Sequence, residues 1–262
     1  QAIRALVAST AGERLAAELV FDTLPPTDWV RKSLEGLTPV EAGRFTVHGE
    51  HDRDRVGNSR IAVQIEATLA FGTGHHASTR GCLLALDRII KQGMRRKPGD
   101  RSLPKRPAVL DIGTGSGVLA IAAAKALHVP VLGSDIDRRA VAVAREHARV
   151  NGVAAEVEIV HAAGVGARRF RERSPYALVL ANILLDPLRQ LATPIRRLTA
   201  RNGVVVLSGL LNAQARSAIA SYCARGFVLE QRIVLGGWTT LILTRPSHAR
   251  ARSRPWRNHL WV

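Results

Sequence analysis

In Val109-Leu110-Asp111-Ile112-Gly113-Thr114-Gly115-Ser116-Gly117-Val118 an apolar run gives way to three glycines at alternate positions and then to apolar sequence again. The pattern predicts a strand, a tight turn and a helix. Glycine lacks a Cβ, so main chain at such a turn approaches a ligand closely. The first turn of the following helix offers free N–H groups. Downstream, short apolar runs at 108–113, 131–136, 157–161, 177–183 and 203–207 alternate with helical patterns at 117–127, 138–151, 187–198 and 212–225. That alternation predicts a parallel sheet covered by helices on both faces. The last two runs, 227–234 and 238–244, flank Leu235-Gly236-Gly237 and predict an antiparallel hairpin at the sheet edge.

Upstream, a helical stretch is expected from Gly12 to Val20, followed by a turn at Pro25-Pro26. Strand-like alternation begins at Ile61 in the segment 61–71. Gly72-Thr73-Gly74-His75-His76 then forms a turn into an apolar-rich helix reaching about Ile90. Residues 91–107 are rich in Gly, Pro and charge and predict a solvated loop. The end of the chain, with Arg245, Arg250, Arg252, Arg254 and Arg257, reads as a basic, disordered tail.

The composition narrows the function classes. With 262 residues, 46 % apolar and 23 % charged, the chain has material for a packed core. No apolar run approaches the roughly 20 residues that span a bilayer, which excludes an integral helical membrane protein. Cys82 and Cys223 lack zinc spacing and make no disulfide framework, so a reduced, cytoplasmic setting is expected. The chain opens on Gln1 with no signal-peptide pattern, which suggests an N-terminally incomplete reading frame. The formal charge is +17, carried mainly by arginine. Such a field favours polyanions such as RNA; a coding bias toward Arg and Ala produces the same balance.

Two details sharpen the glycine turn. Its spacing is G-x-G-x-G, with Val118 where a dinucleotide fingerprint needs its third glycine. Asp111 ahead of the loop suits a cationic aminoacyl group and opposes a pyrophosphate. Asp135, ending the next strand, offers two acceptor oxygens to the hydroxyls of a ribose. Asp137 fits the N-cap of the helix that follows. Together these residues describe an adenosine site without phosphates, and S-adenosyl-L-methionine rather than a nicotinamide cofactor. His75 and His76 are adjacent and would point opposite ways, with no further ligand spaced for a metal. His76 is expected to fix its turn by hydrogen bonding, and Trp29 and Trp238 to pack.

Asp111-Ile-Gly-Thr-Gly-Ser-Gly117 resembles motif I of class I S-adenosylmethionine-dependent methyltransferases. Leu69-Ala-Phe-Gly-Thr-Gly-His-His-Ala-Ser-Thr79 resembles the F-G-T-G-x-H-x-T-T segment of the PrmA family, which methylates ribosomal protein L11. Ala181-Asn182-Ile183-Leu184 is similar to that family's N-I-L loop, and Leu207-Ser208-Gly209-Leu210 with Gln214 to its S-G-I/L…Q segment. The resemblance spans residues 25–245. It implies a doubly wound, Rossmann-like α/β fold with a seven-stranded, mostly parallel sheet and an antiparallel C-terminal hairpin. It implies a protein N-methyltransferase acting on lysine side chains, N-terminal amines or both, in the cytoplasm. Residue by residue, it places Thr79, Gly113, Asp135 and Asn182 at the cofactor, with Asn182 beside the methyl group and the target amine. Asp111, Gly115 and Gly117 complete the expected cofactor set. Ser78 replaces the family's first threonine, Ala77 a common proline, and His75 a frequent threonine. The family carries a small substrate-recognition domain first. Here residues 1–55 would supply its remnant and a linker, 56–245 the methyltransferase domain, and 246–262 the basic tail.

The large-subunit ribosomal protein is the expected partner, with ribosomal RNA as a possible contact and neither membrane nor metal. Two alternatives carry different expectations. An RNA methyltransferase on this fold suits the +17 charge, although base-modifying relatives often carry N-P-P-Y where Asn182-Ile183-Leu184-Leu185 stands. A non-catalytic RNA-binding module would bind no cofactor.

Overall fold

The computed structural model describes residues 2–19, 38–57, 59–66, 76–93 and 108–247. The chain divides into two compact units, 1–36 and 37–262. In the first, helices α1 (Ala2–Ala11) and α2 (Glu13–Ala17) flank Gly12, whose φ of 93° lies outside helical space. The helix expected from Gly12 to Val20 is the five-residue α2, and α1 ahead of Gly12 is a further helix that the pattern did not predict.

The second unit opens with a small sheet of which the periodicity predicted only the strand at Ile61. Strand β1 (Val40–Ala42) pairs antiparallel with β2 (Phe45–His48), which pairs parallel with β3 (Ile61–Gln64). Phe45, Val47 and Val63 are buried in one core with the helix α3 (Ala77–Lys91). Residues 37–55 thus belong to the larger compact unit, whereas the sequence reading drew its boundary after residue 55.

The main sheet follows as β4 (Val109–Ile112), helix α4 (Val118–Leu127), β5 (Val131–Asp135), α5 (Arg138–Val150), β6 (Val157–His161), α6 (Arg168–Glu172), β7 (Tyr176–Asn182), α7 (Leu185–Leu198), β8 (Thr199–Leu211), α8 (Ala215–Cys223), β9 (Val228–Leu235) and β10 (Trp238–Thr244). The strand order is β6-β5-β4-β7-β8-β10-β9, and β10 runs antiparallel to both neighbours. This is the seven-stranded, doubly wound sheet expected, with the hairpin at its edge. Two expected bounds move. Strand β8 is 13 residues long rather than five, and Asn212–Gln214 forms a 3-10 turn ahead of α8.

Alternation within the strands feeds two cores. Val109, Leu178 and Leu180 pack with α3, α4 and α5, while Leu110, Ile112, Val179 and Ala181 pack with α7 and α8. Helix α4 is buried along Val118–Ala124, as its apolar surround predicts. No helix among the described residues is long and apolar enough to cross a membrane.

Strand order reverses between β4 and β7, where Ile112 lies opposite Ala181. In an open α/β sheet the crevice at such a switch point, beyond the carboxyl ends of the strands, is where ligands bind. Helix α3 closes against the neighbouring strands through Gly81. A Cβ there would stand 2.3 Å from Thr240 Oγ1, an atom fixed by a 2.8 Å hydrogen bond with Ser208. Helix propensity alone favours Gly81→Ala by about 1 kcal/mol, but overpacking opposes it by about 1–3 kcal/mol. Urea unfolding should show Gly81→Ala less stable than the parent and Gly81→Ala/Thr240→Ala recovered; a more stable single variant would contradict this packing.

Candidate active site at the switch point

The glycine turn leaves β4 at the switch point. Gly113, Gly115 and Gly117 take φ values of 68°, 54° and 85°, a region that side chains strongly disfavour. Gly113 has a second constraint: a Cβ would lie 2.3 Å from Ile183 Cγ2. The turn is strapped to β5, because the amides of Gly113 and Thr114 both donate to the Ser134 carbonyl, at 2.8 and 2.9 Å.

Asp135 ends β5 and faces this turn. Its Oδ2 accepts from the Gly115 amide at 2.9 Å and its Oδ1 from the Asp137 amide at 3.0 Å. A carboxylate has about four lone-pair sites, so both oxygens retain capacity for a further donor. Asp137 caps α5 by accepting from the Arg139 amide at 2.8 Å, as expected.

Asp111 lies beneath the turn, 1 % exposed. Its Oδ2 accepts from Thr114 Oγ1 at 2.7 Å and from the Ala120 amide at 3.1 Å. Its Oδ1 is buried with no hydrogen-bond partner. Burial pushes the carboxyl up to about 7; the bonds from Thr114 and Ala120 oppose the rise, and the charge of Asp135 adds to it.

On the other side of the switch point, Asn182 ends β7. Its Nδ2 donates to Thr79 Oγ1 at 3.3 Å, and its Oδ1 is buried without a partner. Thr79 is buried on α3, whose N-cap is His76. The His76 Nδ1 accepts from the Ser78 amide at 3.3 Å, and its ring meets Trp238 edge-on at 4.4 Å. Ser208 Oγ donates to the Ser78 carbonyl at 3.1 Å. Gly209 has a φ of 79°, and a Cβ there would lie 2.5 Å from the Ile183 carbonyl oxygen.

The expected residues thus form two linked groups. Asp111, Gly113, Gly115, Gly117 and Asp135 share one hydrogen-bonded turn; Thr79 and Asn182 form a pair; Ile183 packed on Gly113 joins them. The segment 67–75, with Phe71-Gly72-Thr73-Gly74 and His75, lies outside the described residues, as do Trp29 and the loop 94–107. Cys82 is buried near Ser208 and Asp111, and burial raises its thiol to about 12, so it stays protonated and is no nucleophile.

Sequence reasoning missed His147. Its Nε2 accepts from the Glu66 amide at 3.2 Å, so Nδ1 carries the proton and donates to the Ser116 carbonyl at 2.8 Å. One turn on, Asn151 Oδ1 accepts from the Gln64 amide at 2.9 Å, and its Nδ2 donates to the Gln64 carbonyl at 2.6 Å. Helix α5 therefore ties the glycine turn to the chain entering segment 67–75. The available signal was position: His147 shares the buried face of α5 with Ala140, Ala144 and Ala148, where a polar ring needs a partner on each nitrogen.

The family model for ribosomal protein L11 methyltransferase (PrmA) matches residues 2–246. The chain belongs to this family. The PrmA chain is 54 % identical over 243 residues to the ribosomal protein L11 methyltransferase of Rhodopseudomonas palustris (strain BisB5), covering 93 % of this chain and 79 % of that protein. The corresponding Bradyrhizobium diazoefficiens protein is 51 % identical over 244 residues, with the same coverage. A crystal structure of ribosomal protein L11 methylase from Lactobacillus delbrueckii subsp. bulgaricus superposes with a TM-score of 0.67 at 24 % identity, covering 80 % of this chain and 100 % of that one. That likeness establishes the fold. The chain is an S-adenosylmethionine-dependent methyltransferase of the class I architecture.

The two unpartnered acceptors test the fit of that cofactor. Asp111 Oδ1 and Asn182 Oδ1 face no donor of the protein, and burying such atoms is costly unless a ligand supplies one. A cationic ligand suits them; a diphosphate does not. The pH sign follows from Asp111. Its folded pKa of about 7 lies above the ordinary 3.8, so between these values the folded chain binds more protons than the unfolded one. Without ligand, this carboxyl's contribution to stability falls as pH rises from about 4 through about 7. Thermal unfolding of Asp111→Asn should show a weaker decline than the parent across that window; identical slopes would contradict the buried-acid assignment.

Proposed function

We propose that this chain transfers the methyl group of S-adenosylmethionine to amines of ribosomal protein L11, on lysine side chains, the N-terminal α-amine or both. The observation that carries the reading is Asn182: its amide is oriented by Thr79, its Oδ1 is buried and unpartnered, and it stands across the switch point from Gly113. Asp111, Gly113, Gly115, Gly117, Asp135, Thr79 and Asn182 hold the cofactor, and Asn182 also receives the substrate.

The bound cofactor supplies an electrophilic methyl group on a positively charged sulfur. The chain's own task is alignment and exclusion of water. Such positioning accounts for much of the rate in a bimolecular transfer. The amine must arrive neutral, although a free lysine has a pKa of about 10.4. Removal of the amine from water disfavours its charged form and sends the proton to solvent. Asn182 Oδ1 accepts an N–H of the neutral amine and turns its lone pair toward the methyl carbon. A cofactor held here would yield its methyl carbon to the amine nitrogen and keep the C–S electron pair on its sulfur, and the amine's surplus proton would leave to solvent. No carboxylate is needed as a base at the amine.

Residues 1–36, the smaller compact unit, are assigned to substrate recognition and its linker. The substrate is made in the cytoplasm, which is where we place the enzyme. The +17 charge favours a second reading, RNA as the methyl acceptor.

The test offers free L11, ribosomal RNA and assembled subunits side by side with methyl-labelled cofactor. Label should enter L11. Asn182→Ala should lower kcat at saturating cofactor by about 100-fold, whereas Asp135→Ala should act chiefly by weakening cofactor binding, as calorimetry would show. Label confined to RNA, or undiminished kcat in Asn182→Ala, would overturn the assignment.

A further inference from the structure

The amino ends of β7 and β8 lie at the opposite end of the sheet from the crevice. Tyr176 there pairs with Thr199, and Val204 with Thr244 of the antiparallel β10. Five arginines gather where these elements meet: Arg196 and Arg197 in the last turn of α7, Arg201 in β8, Arg225 after α8, and Arg245 after β10.

Main-chain and hydroxyl oxygens orient four of these guanidinium groups. Arg245 donates through Nη1 to the carbonyls of Arg196, at 3.0 Å, and Thr199. Arg196 Nε donates to the Arg225 carbonyl at 2.8 Å. Arg225 Nε donates to Thr193 Oγ1 at 2.7 Å, and Arg201 Nη1 to the Ser247 carbonyl at 3.3 Å. Among the described residues none of the five forms an ion pair. Elsewhere the same surface does pair its cations, as in Arg44–Asp87, Arg149–Glu146, Arg168–Glu172 and Arg169–Glu158. Glu230, in the nearby edge strand, accepts from Thr244 and from none of these arginines.

The grouping is costly. Arg245 is pulled below its ordinary pKa by burial first, and then by the charges of Arg196 and Arg201. Its Nε is buried with no acceptor. The dipole of α7 favours cations at that helix's carboxyl end, which accounts for Arg196 and Arg197 but not for Arg201, Arg225 or Arg245. A multivalent anion would supply what the chain omits.

We propose that this arginine pole binds the phosphate backbone of RNA. Guanidinium forks match phosphate oxygens in pairs, and these forks are held in place before the ligand arrives. RNA carries a phosphate on every backbone unit and no cations of its own, so five guanidinium groups with no carboxylate among them favour it over an acidic protein. The choice of RNA over DNA rests on the ribosomal substrate proposed above. Because the pole lies away from the crevice, RNA and the cofactor do not compete.

The test titrates the full chain into a fluorescein-labelled short single-stranded RNA, following anisotropy between about 50 and about 200 mM salt. Arg197→Gln/Arg201→Gln removes two exposed charges from the pole. Arg149→Gln/Arg168→Gln removes two from α5 and α6 as the control. The pole variant should bind about tenfold more weakly, with a salt slope reduced by about 1.4 to 1.8, and the control should stay within about twofold of the parent. Methyl transfer to free L11, measured without RNA, should be unchanged in both variants, so failure here is distinguishable from failure of the methylation reading. Equal losses in the two variants, no binding by the parent at the lower salt, or polyglutamate competing as well as unlabelled RNA at equal charge would each overturn the proposal.

Discussion

The contact between Gly113 and Ile183 sets the distance on which the rest of the site depends. Parallel pairing of β4 and β7 brings the first glycine of the turn beneath the loop that follows Asn182. Only a residue without a Cβ fits there, since that atom would fall 2.3 Å from the isoleucine side chain. The left-handed φ of 68° imposes the same choice independently. Gly209 repeats the device from the other side, under the Ile183 carbonyl. Two glycines from different strands thus clamp one loop, and the clamp places Asn182 at the switch point.

Electrostatics then determine what the crevice accepts. Asp111 and Asn182 each spend part of their hydrogen-bonding capacity on internal partners and leave one buried oxygen over. The first kind of bond orients the side chain; the free oxygen awaits a donor or a cation. Asp135 belongs to the same economy of shared oxygens, bracing the Gly115 amide while retaining acceptor sites for a ligand hydroxyl. Two unpaired acceptors and a glycine turn lacking the diphosphate spacing are what the proposed use of a cationic methyl donor calls for.

Much of this architecture was legible in the sequence because it repeats a strong local signal. Strands β4, β5 and β7 are almost wholly buried, β4 to β8 are each followed by a helix, and Asp137 announces the start of α5. The two-glycine hairpin turn fixed the edge. What escaped has identifiable causes. Strands β1 and β2 have three and four residues, too few for alternation to register, and β2 is buried at all four positions, Thr46 and His48 included. The break at Gly12 is a backbone property that an apolar pattern does not report. In the candidate site, Asp111 and Asp135 stood out by their places ahead of the glycine turn and at the end of the next strand, and Asn182 only through the resemblance of its N-I-L loop. His147 was not, because its work depends on Glu66 and Ser116, residues distant in sequence that only the fold brings to it.

The most direct test of the central claim is a crystal structure of the full chain soaked with S-adenosylmethionine. The account predicts density in the crevice above Gly113, with a ribose hydroxyl on Asp135 and the positively charged end of the ligand against Asp111 and Asn182. Density elsewhere, or a crevice closed by Ile183 with the ligand absent, would contradict it.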